Sequence, residues 1–343
     1  MKRLISLISV FTLVTGLIIA QTGCSGKTVS AVSKTGYYFD TVCQIDIYDM
    51  EDMSEEAAGE LIDEAFDLCD EFDSLLSRTK PGSDVYRVNN AGGEPVECDG
   101  RTVEVIKKGI EYGELSDGKF DITMGRLSDL WQFDSVEPVL PSEGEIEEAV
   151  KTVDYTGVEV DGNTVTLKNP EAHLDLGGIA KGYIADKVSE FLRSEGVTSA
   201  IVNLGGNIEV IGYKGDDEET PFNIGIKKPY GDEGEIVGSV KLHDATIVTS
   251  GIYERFHEID GKKYHHILDR NTGYPAETDV DSVSIVSAAG RSVDCDGLST
   301  ICLILGVDKG LEFIESMDGV EAVFVDSKGE IHLSSGLEGF EEA

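Results

Sequence analysis

The stretch Asp175-Leu-Gly-Gly-Ile-Ala-Lys-Gly-Tyr183 sets two glycines between a strand-like segment and a helical run, with Lys181 in the first helical turn. Free backbone N–H groups at such a terminus attract phosphate, glycine lets a ligand approach the main chain, and the lysine adds a positive charge. Strand-Gly-Gly-helix turns are also common as plain structure, and this spacing is neither a Rossmann fingerprint nor a P-loop. A second constellation, Asp294-Cys-Asp-Gly-Leu-Ser-Thr300, separates Asp296 and Thr300 by four, so a helix brings a carboxylate and a hydroxyl to one face. Oxygen ligands of this kind suit a hard cation such as magnesium, which keeps other positions for water, a carbonyl and substrate phosphate. An Asp N-cap with a surface hydroxyl is the structural alternative. The third is Val248-Thr-Ser-Gly-Ile-Tyr-Glu-Arg255, followed by His265-His-Ile-Leu-Asp-Arg-Asn-Thr-Gly-Tyr-Pro275, in a chain that holds 6 histidines. One neutral imidazole of the His265-His266 pair is suited to general-base work near neutral pH, against the alternative of a packed or surface pair.

These residues need a framework, and the apolar periodicity supplies one. From Ser54 to Leu76 the apolar positions recur at three and four, with Ser54 as N-cap ahead of Glu55 and Glu56, which predicts an amphipathic helix. A strand over 42–48 precedes it, and a second helix is expected over 101–116. Alternating runs at 157–160 and 164–167 flank Asp161-Gly162-Asn163, a hairpin signal. A strand is expected at 173–176 before Gly177-Gly178, then a helix to Gly196. Further strands are expected at 200–203, 208–212, 222–226, 238–242, 246–249 and 283–286, with helices resuming after Asp296. The mixture of hairpins and helices predicts an α+β class, a mixed α/β sandwich.

Composition narrows the setting. Lys2 and Arg3, an apolar run from Leu4 to Ala20 and then Gly23-Cys24 follow the order of a secretory signal, with a cysteine where processing would occur. The expectation is a lipoprotein-type signal over 1–24, a short linker over 25–34 and one domain over 35–343, exported and held on the membrane by a lipid on Cys24. With 343 residues, 40% hydrophobic and 27% charged, the chain has enough material for a real core. A formal charge of -38 repels nucleic-acid phosphates, so no nucleic-acid partner is expected, and a bound polyphosphate would need a metal and placed lysines. The 6 cysteines contain no Cys-x-x-Cys pair, which suggests buried thiols rather than a disulfide framework.

Taken in order, Gly118-Lys-Phe-Asp-Ile-Thr123, the 175–183 stretch, Val202-Asn-Leu-Gly-Gly-Asn207, Thr249 to Arg255, His265 to Pro275 and Asp296 to Thr300 resemble the ApbE family of FAD:protein FMN transferases. The resemblance runs from about Tyr37 to near Phe324. It implies Mg²⁺ held by the side chains of Asp296 and Thr300 and the carbonyl of Gly178. It also implies FAD contacts from Phe120, Asp121, Asp175, Lys181 and the segment His266 to Leu268, with His266 as the base. The implied reaction moves FMN from FAD onto a Ser/Thr hydroxyl of an exported or membrane redox protein and releases AMP. An Mg²⁺-dependent FAD pyrophosphatase and a non-catalytic FAD-binding lipoprotein are the alternatives. The pattern departs at Thr79, where the family often carries an aromatic flavin neighbour that Tyr86 would replace. It departs again at Arg270, where proline commonly follows the aspartate, and at Cys295 and Gly297, where alanines usually flank Asp296.

Overall fold

The computed structural model describes residues 30–48, 53–214 and 220–343. The span read as a leader, with Cys24, lies outside those residues. The first strand, Val32–Tyr38, begins within the span read as linker and pairs antiparallel with Thr41–Ile47. Phe39 and Asp40 turn the chain between them with φ of 53° and 58°, the left-handed geometry that matches strand twist in a two-residue hairpin.

These two strands open an eight-stranded sheet that continues through Ala200–Leu204, Asn207–Ile211, Ala245–Gly251, Val280–Ala288, Val320–Asp326 and Ile331–Leu333. Every neighbouring pair in it is antiparallel. Alternate side chains enter different cores, as a pleated strand requires. Val283, Ile285, Ala322 and Phe324 join the main core with the helices, whereas Val286 and Val323 join a second core with Phe222, Ile224 and Val240. The second core is closed by a three-stranded sheet of Phe222–Lys227, Ile236–Leu242 and Phe340–Glu342. The architecture is therefore helices, large sheet and small sheet, consistent with the expected α+β sandwich. A third cluster around Leu127, Trp131 and Leu268 fills the end of the molecule that carries the 265–275 loop.

The helix Glu55–Leu76 forms as its spacing predicts. Ser54 accepts the N–H of Ala57, and Ala58, Ile62, Ala65, Cys69, Phe72 and Leu76 are buried on one face. The helix Gly100–Leu115, the hairpin Val158–Asp161 with Thr164–Leu167, and the helix Ala180–Ser194 fall where expected. Cys43, Cys69, Cys98, Cys295 and Cys302 are free buried thiols. Among the described residues no helix is long and apolar enough to cross a membrane.

Two expectations fail. Residues 173–176 form no strand; Leu174 and Leu176 are buried, which mimics strand alternation, but the backbone is satisfied otherwise. Asn89 bonds both the N–H and the carbonyl of Leu174 at 2.6 and 2.9 Å, and Asp175 donates its N–H to Ile122. The helix expected after Asp296 begins earlier, as Ser292–Leu305.

Candidate active site

The Gly177-Gly178 turn is shaped by Asp175, whose Oδ1 accepts the Gly177 N–H at 3.0 Å. Its Oδ2 lies 3.3 Å from Nε of Arg78, which also pairs with Asp129. The carboxylate is thus a brace for the turn at the head of the Ala180 helix. Gly178 faces Phe120 and Thr300: a Cβ added there would stand 2.9 Å from the Phe120 ring and 3.7 Å from Thr300 Oγ1. Only glycine leaves that space free for a ligand.

Asp296 and Thr300 sit one turn apart on the Ser292 helix. Asp296 is buried, and its Oδ2 accepts the N–H of Gly182 at 2.9 Å, while Lys181 Nζ stands 3.9 Å from Oδ1. Burial raises the Asp296 pKa, and Lys181 opposes that rise. The amide of Asn207 also favours the charged form, and its buried Nδ2 has no hydrogen-bond partner among the described residues. A buried carboxylate with an oxygen left without a close partner, a hydroxyl beside it and a bare glycine opposite make an oxygen-only donor set that fits a hard divalent ion.

The two adjacent histidines separate cleanly. His266 Nδ1 lies 3.1 Å from the carbonyl oxygen of Arg255, which only accepts, so Nδ1 carries the proton and Nε2 keeps its lone pair. Burial, with Arg255 and Lys181 adding, pushes its pKa down to about 3. His265 points elsewhere, with Nε2 3.2 Å from the Ala276 carbonyl oxygen. It is a packed histidine, the structural alternative weighed from sequence.

Lys181 lies near enough to act through its charge on His266, Asp296 and Glu254 alike, which puts the four groups in one neighbourhood. Glu254 was not singled out from sequence, although it lies inside the Thr249 to Arg255 stretch. The residue is exposed yet crowded by protein around its carboxylate, and this desolvation raises its pKa, opposed by Lys181.

Two residues expected as FAD contacts are buried, with their side chains engaged by the protein. Asp121 is fully engaged inside: Oδ1 accepts from the N–H and hydroxyl of Thr123 at 2.8 and 2.6 Å, and Oδ2 accepts the Tyr155 N–H at 3.1 Å and pairs with Arg270 at 3.3 Å. The Leu268 side chain belongs to the Trp131 cluster, so a ligand would meet its main chain only. Arg270, where the family commonly has proline, donates to the carbonyls of Gly118 and Val153, tying the 265–275 loop to the segment that carries Phe120. Thr79 lies beside Ser77, 3.3 Å between hydroxyls, in the loop that also supplies Arg78.

An antiparallel sandwich that brings a lysine, a buried carboxylate and a neutral histidine near the starts of two helices defines a transferase-type scaffold. The chain belongs to the ApbE family, whose model matches residues 39–324. It is 34% identical over 329 residues to the FAD:protein FMN transferase of Treponema pallidum, covering 92% of this chain and 90% of that one. It is 35% identical over 278 residues to a Klebsiella pneumoniae FAD:protein FMN transferase, covering 80% and 85%. Among solved structures, the ApbE protein of Thermotoga maritima superposes with a TM-score of 0.81 at 33% identity, covering 89% of this chain and 97% of that one. The flavin transferase ApbE of Vibrio cholerae gives 0.77 at 27% identity, covering 91% and 99%.

Proposed function

We propose that this protein transfers FMN from FAD to a Ser/Thr hydroxyl of an acceptor protein, with Mg²⁺ held by Asp296, Thr300 and the carbonyl of Gly178. The bound ion supplies charge neutralisation at the pyrophosphate. The Lys181 ammonium binds and orients the phosphates, since the N–H groups of Ile179 and Ala180 are already held by the Leu176 carbonyl and that of Gly182 by Asp296. His266 Nε2 takes the proton of the acceptor hydroxyl as its oxygen bonds to the FMN phosphorus; the bond from that phosphorus to the AMP oxygen breaks, and AMP leaves. The observation that carries this reading is the His266 tautomer, fixed by the Arg255 carbonyl so that Nε2 is the free base, with Lys181 near both it and Asp296. A storage protein for FAD needs no such base.

The test is incubation with FAD, Mg²⁺ and a candidate acceptor followed by intact mass. An acceptor heavier by one FMN phosphoester is the expected result; free FMN and AMP with an unmodified acceptor would mean a pyrophosphatase instead. The acceptor is expected to be an exported or membrane redox protein, because the leader and Gly23-Cys24 support export with lipid attached at Cys24. Cys24→Ser should then release the protein from membranes, and an N-terminal mass that starts elsewhere without lipid contradicts the anchor.

A further inference from the structure

The Ser292 helix has no cap of its own, since Arg291 at the N-cap position makes no side-chain cap bond. Its first amides are met by another helix. Asp186 accepts the N–H of Ser292 at 2.7 Å and of Val293 at 3.0 Å. One turn earlier on the Ala180 helix, Gly182 gives its N–H to Asp296 Oδ2, and a Cβ at Gly182 would stand 2.3 Å from the Ser292 carbonyl oxygen. Gly182 and Asp186, four apart, therefore grip Ser292 and Asp296, also four apart.

Asp186 has its own support. Glu209 is buried, its Oε1 accepts the Gly290 N–H at 3.3 Å, and its Oε2 has no donor in reach among the described residues. That oxygen is satisfied only if it carries a proton and donates it to Asp186. Burial and the Asp186 charge both raise the Glu209 pKa, with Arg193 as the opposing cation and Asp294 as a further anion near Asp186, so the proton stays. The pair lies on the wall of a cavity of about 970 Å³ that also touches Tyr183, Lys187 and Glu190. At about 100° per residue, that face of the Ala180 helix lies opposite Lys181.

We infer that Asp186, backed by Glu209, is a positioning residue for the magnesium site: it fixes the first turn of the Ser292 helix and with it the placement of Asp296 and Thr300. The inference rests on the assignment of those two residues as metal ligands. Outer partners of metal ligands are commonly worth about 10- to 100-fold in metal affinity. Asp186→Ala should weaken Mg²⁺ binding by calorimetry by about that factor, leave FAD affinity in magnesium-free buffer unchanged, and speed amide exchange at Ser292 and Val293 in the metal-free protein. Glu209→Gln should stay close to wild type, because its amide N–H donates to Asp186 and its oxygen accepts from Gly290. Wild-type Mg²⁺ affinity in Asp186→Ala, or equal damage from Glu209→Gln, overturns the inference. If Asp186→Ala does not fold, Asp186→Asn keeps one acceptor oxygen and should bind Mg²⁺ between wild type and that loss; unchanged affinity again overturns the role. Asp296→Ala in the same titration separates the two readings, since retained Mg²⁺ binding there removes the metal assignment itself.

Discussion

Lys181 Nζ stands 3.9 Å from Asp296 Oδ1, beyond hydrogen-bond reach, while the next residue, Gly182, holds Oδ2 through its backbone N–H at 2.9 Å. The carboxylate is therefore fixed by the main chain of the Ala180 helix, and its other oxygen is left for a ligand. The lysine serves as a nearby charge, which suits a group meant for phosphate.

Removing that carboxylate should remove the metal and spare the fold. Asp296→Ala is expected to abolish FMN transfer at any Mg²⁺ concentration and to lower Tm modestly, because the Gly182 N–H loses its buried acceptor while the apolar packing of the helix remains. Full activity in metal-depleted buffer would contradict it.

His266 carries a prediction with a definite pH sign. A general base contributes about 10²–10⁴-fold, so His266→Ala should lower kcat by that range and leave FAD affinity nearly unchanged. From sequence, an acid limb near the ordinary imidazole value of about 6.5 is expected. Burial corrects this: with the folded pKa down to about 3, the base stays neutral through mildly acidic pH, and the acid limb moves well below 6. The unfolded chain binds the extra proton between the two values, so stability is complete above about 6.5 and falls as pH drops toward the folded pKa. Thermal melts from pH 8 to 4 should show wild type losing more stability than His266→Ala.

Arg78 should matter for FAD, and magnesium-free buffer separates that effect from any change at the Gly178 carbonyl. Arg78→Ala releases Asp175, which braces the Gly177 amide. Losing one charge-assisted bond of this kind costs about 1.5–3 kcal/mol, so FAD binding in magnesium-free buffer should weaken roughly tenfold or more. Flavin fluorescence titration checks it, and unchanged affinity would leave Arg78 a surface residue.

Gly182 is expected to tolerate no side chain. A Cβ 2.3 Å from the Ser292 carbonyl oxygen forces the two helices apart. Overpacking of this type costs about 1–3 kcal/mol, and Gly182→Ala should lower both Tm and Mg²⁺ affinity. A variant that melts and binds Mg²⁺ like wild type would show that the helices have slack there.

The order of the motifs, the donor types in them and the periodicity of the main helices and hairpins were legible in the amino-acid sequence, because each is a local property of neighbouring residues. The Glu55 helix and its Ser54 cap, the Gly177-Gly178 turn ahead of Lys181, and the four-residue spacing of Asp296 and Thr300 needed no tertiary information. What only the tertiary structure decided are properties set by distant partners. His266 and His265 are equivalent in sequence, and each meets one main-chain carbonyl; half-buried His266 stands near Lys181, whereas His265 is buried with its other ring nitrogen unpartnered among the described residues. Asp121 is an expected ligand contact from sequence, and only the fold shows that Thr123, Tyr155 and Arg270 already engage its oxygens. The segment 173–176 reads as a strand until Asn89 satisfies its backbone, and the Ser292 helix reads as starting late because its cap, Asp186, belongs to another helix. Hydrogen-bond partners and desolvation arise where remote segments meet, and those two terms decide whether a side chain of the right type is free to act.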